Sequence, residues 1–219
     1  MDNTALLAQS ELFADLDDTE LSRVLVDART VALSRNEVLF HQGDPAEALY
    51  GVRSGRIAIS LQSPDGRESV LTLMEPGDLF GDMPIFDGEP RSAQARALET
   101  SELLCVPYPA VKAVLEARPA LLWTVVAMLS RRLRSTDAAL ADTVFLDVTG
   151  RTAKRLLELA GDADTFALPI TQEELAGLVG ASRERVNKAI SAFVRMGWLA
   201  QIDRRYHIAD RAQLVRRAR

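Results

Sequence analysis

The sequence predicts an α+β protein that combines an antiparallel, jelly-roll-like β-roll, a long central helix and a C-terminal winged helix-turn-helix. Three observations support this fold class. A series of glycines at positions 43, 55, 66 and 77 has spacings of 11 or 12 residues, residues 120–145 contain neither glycine nor proline, and two helical patterns flank Gly180. The three parts are predicted at residues 1–118, 119–146 and 147–219.

The composition predicts a globular chain without a membrane span. Of its 219 residues, 47% are hydrophobic and 26% are charged, which is enough apolar material for a sizeable core. Apolar runs are short and the first twenty residues lack a secretory pattern, so we expect a cytoplasmic protein. The single cysteine, Cys105, excludes an internal disulfide, and the distant His41 and His207 do not predict a metal site. No nucleophile and base are arranged as in an enzyme.

Charge is distributed unevenly along the chain. The formal net charge is -5, but residues 1–146 contain 22 acidic and 13 basic side chains, whereas residues 147–219 contain 9 acidic and 13 basic ones. A basic half joined to an acidic half indicates two modules, of which the basic one is the candidate for binding a polyanion. A solvated basic surface without a partner is the alternative.

Short apolar runs between the glycines indicate the strands of the roll. Turns at this interval are typical of an antiparallel sandwich or roll, and Asp65-Gly66 is a strong hairpin signal. Apolar residues at helical spacing between Ser10 and Ala28 predict short helices packed against the roll. The predicted strands are residues 38–40, 57–61, 69–73 and 103–106.

Residues 76–92 interrupt the strand pattern. Their glycines and prolines argue against a regular strand, and a glycine-led helical turn presents backbone N–H groups. Arg91 and Ser92 add a cation and a hydroxyl, and a buried phosphate requires this combination. A surface loop with a solvated arginine is the alternative.

The order of these features resembles the cyclic-nucleotide-binding roll of the catabolite activator family, also called the cyclic AMP receptor protein or Crp/Fnr family. The resemblance rests on glycines 43, 55, 77 and 81 followed by the Arg91-Ser92 pair. It implies that Gly81, Arg91 and Ser92 hold the phosphate of cyclic AMP (cAMP). Asp82 and Met83 occupy the last two positions of the family's Gly-Glu-Leu turn, in which the glutamate binds the ribose 2′-hydroxyl. Asp82 is one methylene shorter, which predicts altered affinity or nucleotide choice.

The central helix carries a heptad pattern. Its 26 predicted residues would span roughly 39 Å at 1.5 Å rise per residue. Alternating spacings of four and three are typical of a helix that pairs with a copy of itself, so we expect a homodimer through residues 122–143. Alternatively, Val125, Met128 and Val144 place the helix on its own roll. The seam residues are Leu122, Val126, Leu129, Leu133, Thr136, Leu140 and Thr143.

Residues 131–136, Arg-Arg-Leu-Arg-Ser-Thr, resemble the Arg-Arg-Leu-x-x-Thr stretch of the family's central helix. The resemblance places Arg132 and Thr136 at the nucleotide, with Thr136 bonded to the base. Asp137 stands where a serine or asparagine from the other subunit assists. A carboxylate accepts from an adenine amino group but cannot donate to a ring nitrogen, so we expect altered base recognition.

Capping signals predict the helix-turn-helix. Thr171 and Glu174 form the Thr-x-x-Glu pattern of a capping box, Gly180 ends that helix, and Ser182 is a good N-cap for the next helix. The apolar face of the second helix leaves its first turns polar on the outside, and this end enters the major groove in such motifs. A solvated face with intrahelical ion pairs is the alternative. The outward residues are Arg183, Glu184, Arg185, Asn187 and Lys188.

Residues 171–188 closely resemble the family's recognition motif. The match implies that Arg183, Glu184 and Lys188 read bases, since their donors and acceptors complement the edges of guanine and cytosine. A hairpin wing is predicted around residues 203–205. The other expected DNA contacts are Thr171, Gln172, Ser182, Asn187, Arg204 and Arg205.

These features predict a homodimeric transcriptional regulator that is controlled by a cyclic nucleotide, with cAMP the first candidate, and that binds a palindromic operator in double-stranded DNA. The family resemblance also implies contact with RNA polymerase. One alternative is a regulator that acts without cAMP or responds to another effector, since Asp82 and Asp137 depart from the family pattern. Another is a cyclic-nucleotide-binding module that controls a partner protein, which would leave the helix-turn-helix unused.

Overall fold

The computed structural model describes residues 2–63, 68–202 and 205–219. The predicted hairpin turn at Asp65-Gly66 and part of the predicted wing, Asp203-Arg204, lie outside the described residues. Internal contacts divide the chain into two compact units, Met1–Leu133 and Arg134–Arg219, and the division falls inside the long helix.

Two helices of the first unit begin at sequence features that favour a helix N-terminus. The helices of this unit, the last of which runs on into the second unit, are α1 (Asn3–Gln9), α2 (Asp18–Leu25), α3 (Met83–Asp87), α4 (Tyr108–Ala117) and α5 (Leu121–Phe145). α2 begins after Asp17, which forms a capping box with Glu20. Pro109 lies in the first turn of α4, where its missing N–H removes no helical hydrogen bond. α5 begins one residue later than predicted.

Two antiparallel sheets form the roll. The strands are β1 (Arg29–Leu33), β2 (Val38–Phe40), β3 (Ala48–Ser54), β4 (Ile57–Gln62), β5 (Glu68–Met74), β6 (Leu79–Phe80), β7 (Gln94–Ala97) and β8 (Ser101–Pro107). One sheet has the order β1-β8-β3-β6 and the other has the order β2-β7-β4-β5. Tyr50 pairs with Cys105 and Phe80 in the first sheet, and Ile59 pairs with Ala95 in the second. The predicted fold class is confirmed.

The four predicted strands correspond to β2, β4, β5 and β8. The expectation that residues 76–92 hold no regular strand is wrong at Leu79 and Phe80, because Phe80 is buried between the sheets and the backbone pairs with β3. β3 escaped prediction because it is buried on both faces, so its apolar residues do not alternate with polar ones.

Apolar side chains fill two layers of the first unit. The layer between the sheets includes Leu33, Val52, Ile57, Phe80 and Leu103. The layer between the helices and β3 and β8 includes Leu7, Phe13, Leu49, Leu104, Val106, Val111 and Val125. Burial of each side chain of this size contributes about 1.5–3 kcal/mol, so both layers hold the roll and its helices together.

The second unit contains the predicted helix-turn-helix and wing. Its elements beyond α5 are α6 (Val148–Ala160), β9 (Thr165–Ala167), α7 (Gln172–Val179), α8 (Arg183–Arg195), β10 (Leu199–Ile202), β11 (Arg205–Ile208) and α9 (Arg211–Arg217). The strands form a sheet of order β10-β11-β9, and α6 packs against α7, α8 and α9. β9 and α9 are not predicted from the sequence, because each is short and is held by packing on β11 or α6.

No single helix among the described residues has both the length and the apolar composition to cross a membrane. The bent pair Tyr108–Ala117 and Leu121–Phe145, at 118° to each other, meets these two criteria when its members are taken together. Within the same described ranges, no group of three or more His, Cys, Asp and Glu side chains is placed to hold a metal ion.

Candidate ligand site and nucleic-acid interface

Arg91 is a buried cation in the first unit, with 5% of its surface exposed. Its backbone N–H donates to the Asp44 carbonyl (2.9 Å), and its carbonyl accepts from the Gly43 N–H (2.8 Å). Its guanidinium donates from Nη2 to the Ala48 carbonyl (2.7 Å) and from Nη1 to the Gly81 carbonyl (2.9 Å). The guanidinium is therefore held inside the protein and is not solvated in a surface loop.

Three aromatic side chains surround this guanidinium. Its Cζ atom lies 4.2 Å from the ring centroid of Phe40, 5.5 Å from that of Tyr50 and 5.9 Å from that of Tyr108. The Tyr108 hydroxyl also accepts from Arg91 Nη1 (3.1 Å) and donates to the Gly81 carbonyl (2.5 Å). Sequence reasoning missed all three aromatic residues, because no local motif relates them to Arg91.

One donor of the buried guanidinium is unsatisfied. Arg91 Nε is buried and has no hydrogen-bond partner in the part of the chain that the structure describes. No carboxylate in that part forms an ion pair with Arg91. Aromatic faces and neutral carbonyls offset part of the cost of burying a charge. An anion with an acceptor oxygen at Nε would complete both the charge balance and the hydrogen bonding, so the site suits a phosphate group.

Burial perturbs the tyrosines of this cluster. Desolvation raises the pKa of Tyr108 to about 12, and the Arg91 cation opposes this change only in part. Desolvation also raises the pKa of Tyr50. Both phenols are therefore protonated at neutral pH, and the Tyr108 hydroxyl remains a hydrogen-bond donor.

Gly81 and Asp82 lie on the turn between β6 and α3, where the Gly81 carbonyl accepts from Arg91. Gly81 has a φ of +76°, in the left-handed region that favours glycine. Asp82 is 3% exposed, and Arg132 Nη1 lies 3.2 Å from its Oδ1 and 3.3 Å from its Oδ2. Asp82 is the N-cap residue of α3 but forms no capping bond with its side chain. The structure thus pairs two sets of predicted residues, Gly81 with Arg91 and Asp82 with Arg132, at neighbouring positions of one turn.

Met83 and Ser92 form a separate contact at the surface. The Ser92 hydroxyl lies 3.7 Å from the Met83 sulfur, and both residues are exposed. Thr136 and Asp137 are exposed on the part of α5 that belongs to the second unit. Their roles at a nucleotide stay predictions.

The heptad seam of α5 leaves apolar side chains at the surface of the single chain. The exposed seam leucines and valine are Leu122 (46%), Val126 (51%), Leu133 (63%) and Leu140 (63%). Leu129 is partly buried against the helical core, and Val125 is buried in it. Val144, which the alternative arrangement would bury, is 66% exposed. The start of α5 therefore packs on the first unit while most of the seam is left uncovered.

The helix-turn-helix has the predicted caps. The Glu174 backbone N–H donates to Thr171 Oγ1 (3.2 Å), and the Thr171 N–H donates to the Glu174 carboxylate (2.7 Å). Gly180 ends α7 with a φ of +66°. Ser182 Oγ accepts from the Arg185 N–H at the start of α8. These caps set both ends of the turn between α7 and α8.

Arginines of α6 hold the end of α7, a contact that sequence reasoning missed. Arg151 Nε donates to the Val179 carbonyl (2.9 Å), and Arg155 Nε donates to the Leu178 carbonyl (3.3 Å). These carbonyls lack helical partners because the helix ends there. The turn before α8 is therefore fixed by α6 as well as by its own caps.

The first turns of α8 present charged side chains to solvent. Within the described ranges, none of these charged side chains forms an ion pair. The alternative, in which they pair with each other along the helix, is therefore not observed. Asn187 is half-buried. Gln172 Nε2 donates to the Tyr206 hydroxyl (2.8 Å), which ties α7 to β11. The exposed charged residues are Arg183, Glu184, Arg185 and Lys188.

The wing is the hairpin of β10 and β11, in which Ile202 pairs with Arg205. Arg205 is exposed. Arg204 lies outside the described residues. At the other end of the unit, Asp147 caps α6 by accepting from the Gly150 N–H and also pairs with Arg217. Both interactions lower the pKa of Asp147, and the hydrogen bond from the Gly150 backbone has the larger effect.

Comparison with known proteins finds relatives of both units. Residues 30–118 match the family described as a cyclic nucleotide-binding domain, and residues 150–217 match the Crp-like helix-turn-helix domain. A CRP-like cAMP-activated global transcriptional regulator from Mycobacterium tuberculosis is 37% identical over 221 aligned residues, which cover 98% of this chain and 99% of that protein.

Two solved structures extend the comparison. The Thermus thermophilus catabolite activator protein is 32% identical, with a TM-score of 0.55 over 95% of this chain and 98% of that one. The c-di-GMP responsive global regulator CLP from Xanthomonas campestris is 27% identical, with a TM-score of 0.73 over 88% of this chain and 99% of that one. The similarity extends through both units.

Proposed function

We propose a specific function for this chain, which belongs to the Crp family of cyclic-nucleotide-responsive transcriptional regulators. The protein is a homodimer that binds cAMP in its roll and binds a palindromic operator through its helix-turn-helix. Ligand binding in the first unit changes the affinity of the second unit for DNA. By linkage, operator DNA then tightens cAMP binding by the same factor.

The observation that carries this proposal is the buried Arg91 guanidinium. It lacks a carboxylate partner among the described residues, and its Nε atom has no acceptor there. A cyclic phosphate supplies one negative charge and acceptor oxygens, which match both deficits. The adjacent Ser92 hydroxyl is a second donor for the same group. Gly81 admits the close approach, because a side chain there would occupy the space next to Arg91.

The remaining ligand contacts follow from the chemistry of the side chains. A carboxylate has about four acceptor positions, so Asp82 can receive a ribose hydroxyl while it stays bonded to Arg132. Thr136 can donate to or accept from a base. Asp137 can accept from an adenine amino group, so an adenine nucleotide remains the first candidate. The Met83 sulfur contacts the Ser92 hydroxyl at the margin of the site.

DNA recognition is assigned to the start of α8. Arg183, Glu184 and Lys188 are exposed and unengaged by ion pairs within the described chain, so they are available to base edges. Thr171 and Ser182 stand at helix N-termini, where a phosphate is favoured. The further phosphate or sugar contacts of the proposal are Gln172, Asn187, Arg204 and Arg205.

The dimer is supported by the exposed seam of α5. Apolar side chains that repeat at heptad spacing gain free energy when a second copy covers them. Two copies place two recognition helices in successive major grooves, roughly 34 Å apart, and so require a palindromic site. Contact with RNA polymerase belongs to this proposal as the route from DNA binding to transcription.

A fluorescence-anisotropy titration tests the proposal. A labelled palindromic operator is titrated with the protein at fixed salt, with and without cAMP, and calorimetry measures cAMP and cyclic GMP binding. We expect cAMP to tighten operator binding and to bind more strongly than cyclic GMP. Absence of heat with either nucleotide at millimolar concentration would refute cyclic nucleotide control.

A second candidate is the same DNA-binding regulator under an effector other than cAMP. The observation in its favour is the Asp82–Arg132 pair, which engages both carboxylate oxygens where the family pattern has a glutamate. The relative CLP is a c-di-GMP responsive regulator, so effector choice varies among similar chains. Operator binding that is tight without cAMP and unchanged by it would support this candidate.

A further inference from the structure

The Tyr108 hydroxyl occupies a junction in the ligand site. It donates to the Gly81 carbonyl at 2.5 Å and accepts from Arg91 Nη1 at 3.1 Å, while Nη1 also donates to the Gly81 carbonyl. The residue is 6% exposed. Tyr108 is the first residue of α4 and directly follows β8, so its backbone is anchored between two regular elements.

These contacts define the orientation of the guanidinium. Nη1 donates to the Gly81 carbonyl and the Tyr108 hydroxyl, and Nη2 donates to the Ala48 carbonyl. Because a guanidinium is planar and rigid, fixing both terminal nitrogens also fixes the direction of its Nε–H. This Nε is the buried donor without a partner in the described structure.

Apart from the Tyr108 hydroxyl, the acceptors that contact the Arg91 guanidinium are the backbone carbonyls of Gly81 and Ala48. Without the Tyr108 oxygen, Nη1 retains only the Gly81 carbonyl, and that carbonyl loses its short phenolic bond. The aromatic rings of Phe40 and Tyr50 attract the cation but do not set its rotation, since a cation–π contact has no directional N–H bond. The Tyr108 hydroxyl therefore adds a third directional contact to those of Gly81 and Ala48, and it also holds the Gly81 carbonyl to which Nη1 donates.

We propose that Tyr108 is a positioning residue, which turns the unpartnered Nε edge of Arg91 toward one exocyclic oxygen of the bound phosphate. This inference rests on the proposed cyclic nucleotide function and adds a residue to it. Burial keeps the Tyr108 phenol protonated, since its pKa is raised to about 12, so the arrangement persists over the physiological pH range.

The test uses Tyr108→Phe in the full chain, with Tyr50→Phe as the matched control. Tyr50 lies beside the same guanidinium, but its hydroxyl bonds to Cys105 and makes no hydrogen bond to Arg91. Calorimetry measures cAMP and its two phosphorothioate diastereomers, in which sulfur replaces one or the other exocyclic oxygen. Arg91 directed at one oxygen discriminates between the diastereomers.

We expect Tyr108→Phe to weaken cAMP binding about tenfold, the loss typical of a hydrogen bond to a charged group, and to bring the ratio of diastereomer affinities toward one. Tyr50→Phe keeps the aromatic ring beside the guanidinium and removes a hydroxyl that does not bond to Arg91, so it should change both quantities less than Tyr108→Phe does. In an Arg91→Lys background, Tyr108→Phe should have no further effect, because its action passes through Arg91.

Wild-type affinity and ratio in Tyr108→Phe would overturn the inference. So would weaker binding with an unchanged ratio, because that result indicates a general structural role. If the wild-type protein itself binds no cyclic nucleotide, the proposed function fails instead. Should Tyr108→Phe not fold, the ¹⁵N NMR signal of Arg91 Nε in the wild-type chain decides: it should shift on addition of cAMP, and an unmoved signal in the bound state would overturn the inference.

Discussion

Gly81 and Arg91 fit together without space for a single additional carbon atom. The Gly81 carbonyl accepts from Arg91 Nη1 at 2.9 Å, and a Cβ atom at Gly81 would lie 2.6 Å from that same nitrogen. Real Cβ atoms essentially never approach another heavy atom so closely. The buried guanidinium and the glycine turn are therefore one unit in structure, although ten residues separate them in the chain.

Gly81→Ala should weaken cAMP binding by more than about tenfold, which corresponds to about 1.4 kcal/mol. The added methyl group displaces the guanidinium from its acceptors, so the cation no longer meets the phosphate. Calorimetric titration measures the effect. Gly88→Ala is the control, because Gly88 has a similar φ of +73° but nothing lies within 4 Å of its added Cβ. Equal losses in both variants would assign the effect to backbone strain alone.

Charge on the α5 seam should dissociate the proposed dimer. Leu133→Glu combined with Leu140→Glu places two carboxylates in a predicted apolar interface, and both positions are 63% exposed in the single chain, so its fold tolerates them. Analytical ultracentrifugation should report the mass of one chain for the variant and two chains for the wild type. Val26→Glu, at a surface position that is 75% exposed outside α5, should remain dimeric. A dimeric seam variant would place the interface elsewhere.

Glu184→Ala should weaken specific operator binding by about 1–3 kcal/mol and relax the preference at one base position. The exposed carboxylate in the first turn of α8 can accept from a cytosine amino group, and alanine cannot. Anisotropy titrations against operators that carry each base change measure this preference. Asp162→Ala makes the same charge change at an exposed site of the second unit and should not alter base preference. A uniform loss across all operators would reassign Glu184 to a positioning role.

Acid should destabilise the second unit partly through Asp147. The hydrogen bond from the Gly150 N–H and, to a smaller extent, the bond from Arg217 lower the pKa of Asp147 in the folded state. A lowered folded pKa adds stability above the unfolded pKa of about 3.9, and this stability is lost as the pH falls toward the folded value. Asp147→Asn keeps a capping oxygen but carries no charge, so its unfolding midpoint should depend less on pH between 5 and 3.

Asp147→Ala should cost about 1 kcal/mol at neutral pH, because it removes the N-cap of α6 as well as the charge. Unfolding in urea at pH 7 compares the two variants. Asp162→Asn serves as the control for loss of an exposed carboxylate in the same unit. A pH dependence in Asp147→Asn as steep as that of the wild-type protein would contradict the assignment.

Local chemistry made the second unit predictable. Thr171 and Glu174 are three residues apart, and the cap that they form needs no other part of the chain. Gly180 and Ser182 act in the same way on the next turn. The helix-turn-helix, its outward face and the long α5 could therefore be inferred from spacing alone, since caps and helical periodicity act within a few residues.

Long-range contacts escaped such inference. Arg91 donates to the carbonyl of Ala48, which is 43 residues distant in the sequence. Arg132 donates to Asp82, which is 50 residues distant. Tyr108 belongs to no motif, and its hydroxyl acquires a role only where α4 begins beside the turn at Gly81. β3 hides its pairing because both of its faces are buried.

Residue type and spacing thus predicted the fold class, and the resemblance to a known family supplied the family and the candidate residues for phosphate and DNA. They could not show that Arg91 is buried with one free donor among the described residues, or that Asp82 is bonded to Arg132. Partners in a sheet and the burial of a charge depend on which distant segments come together, and this is settled by packing of the whole roll rather than by neighbours in the chain.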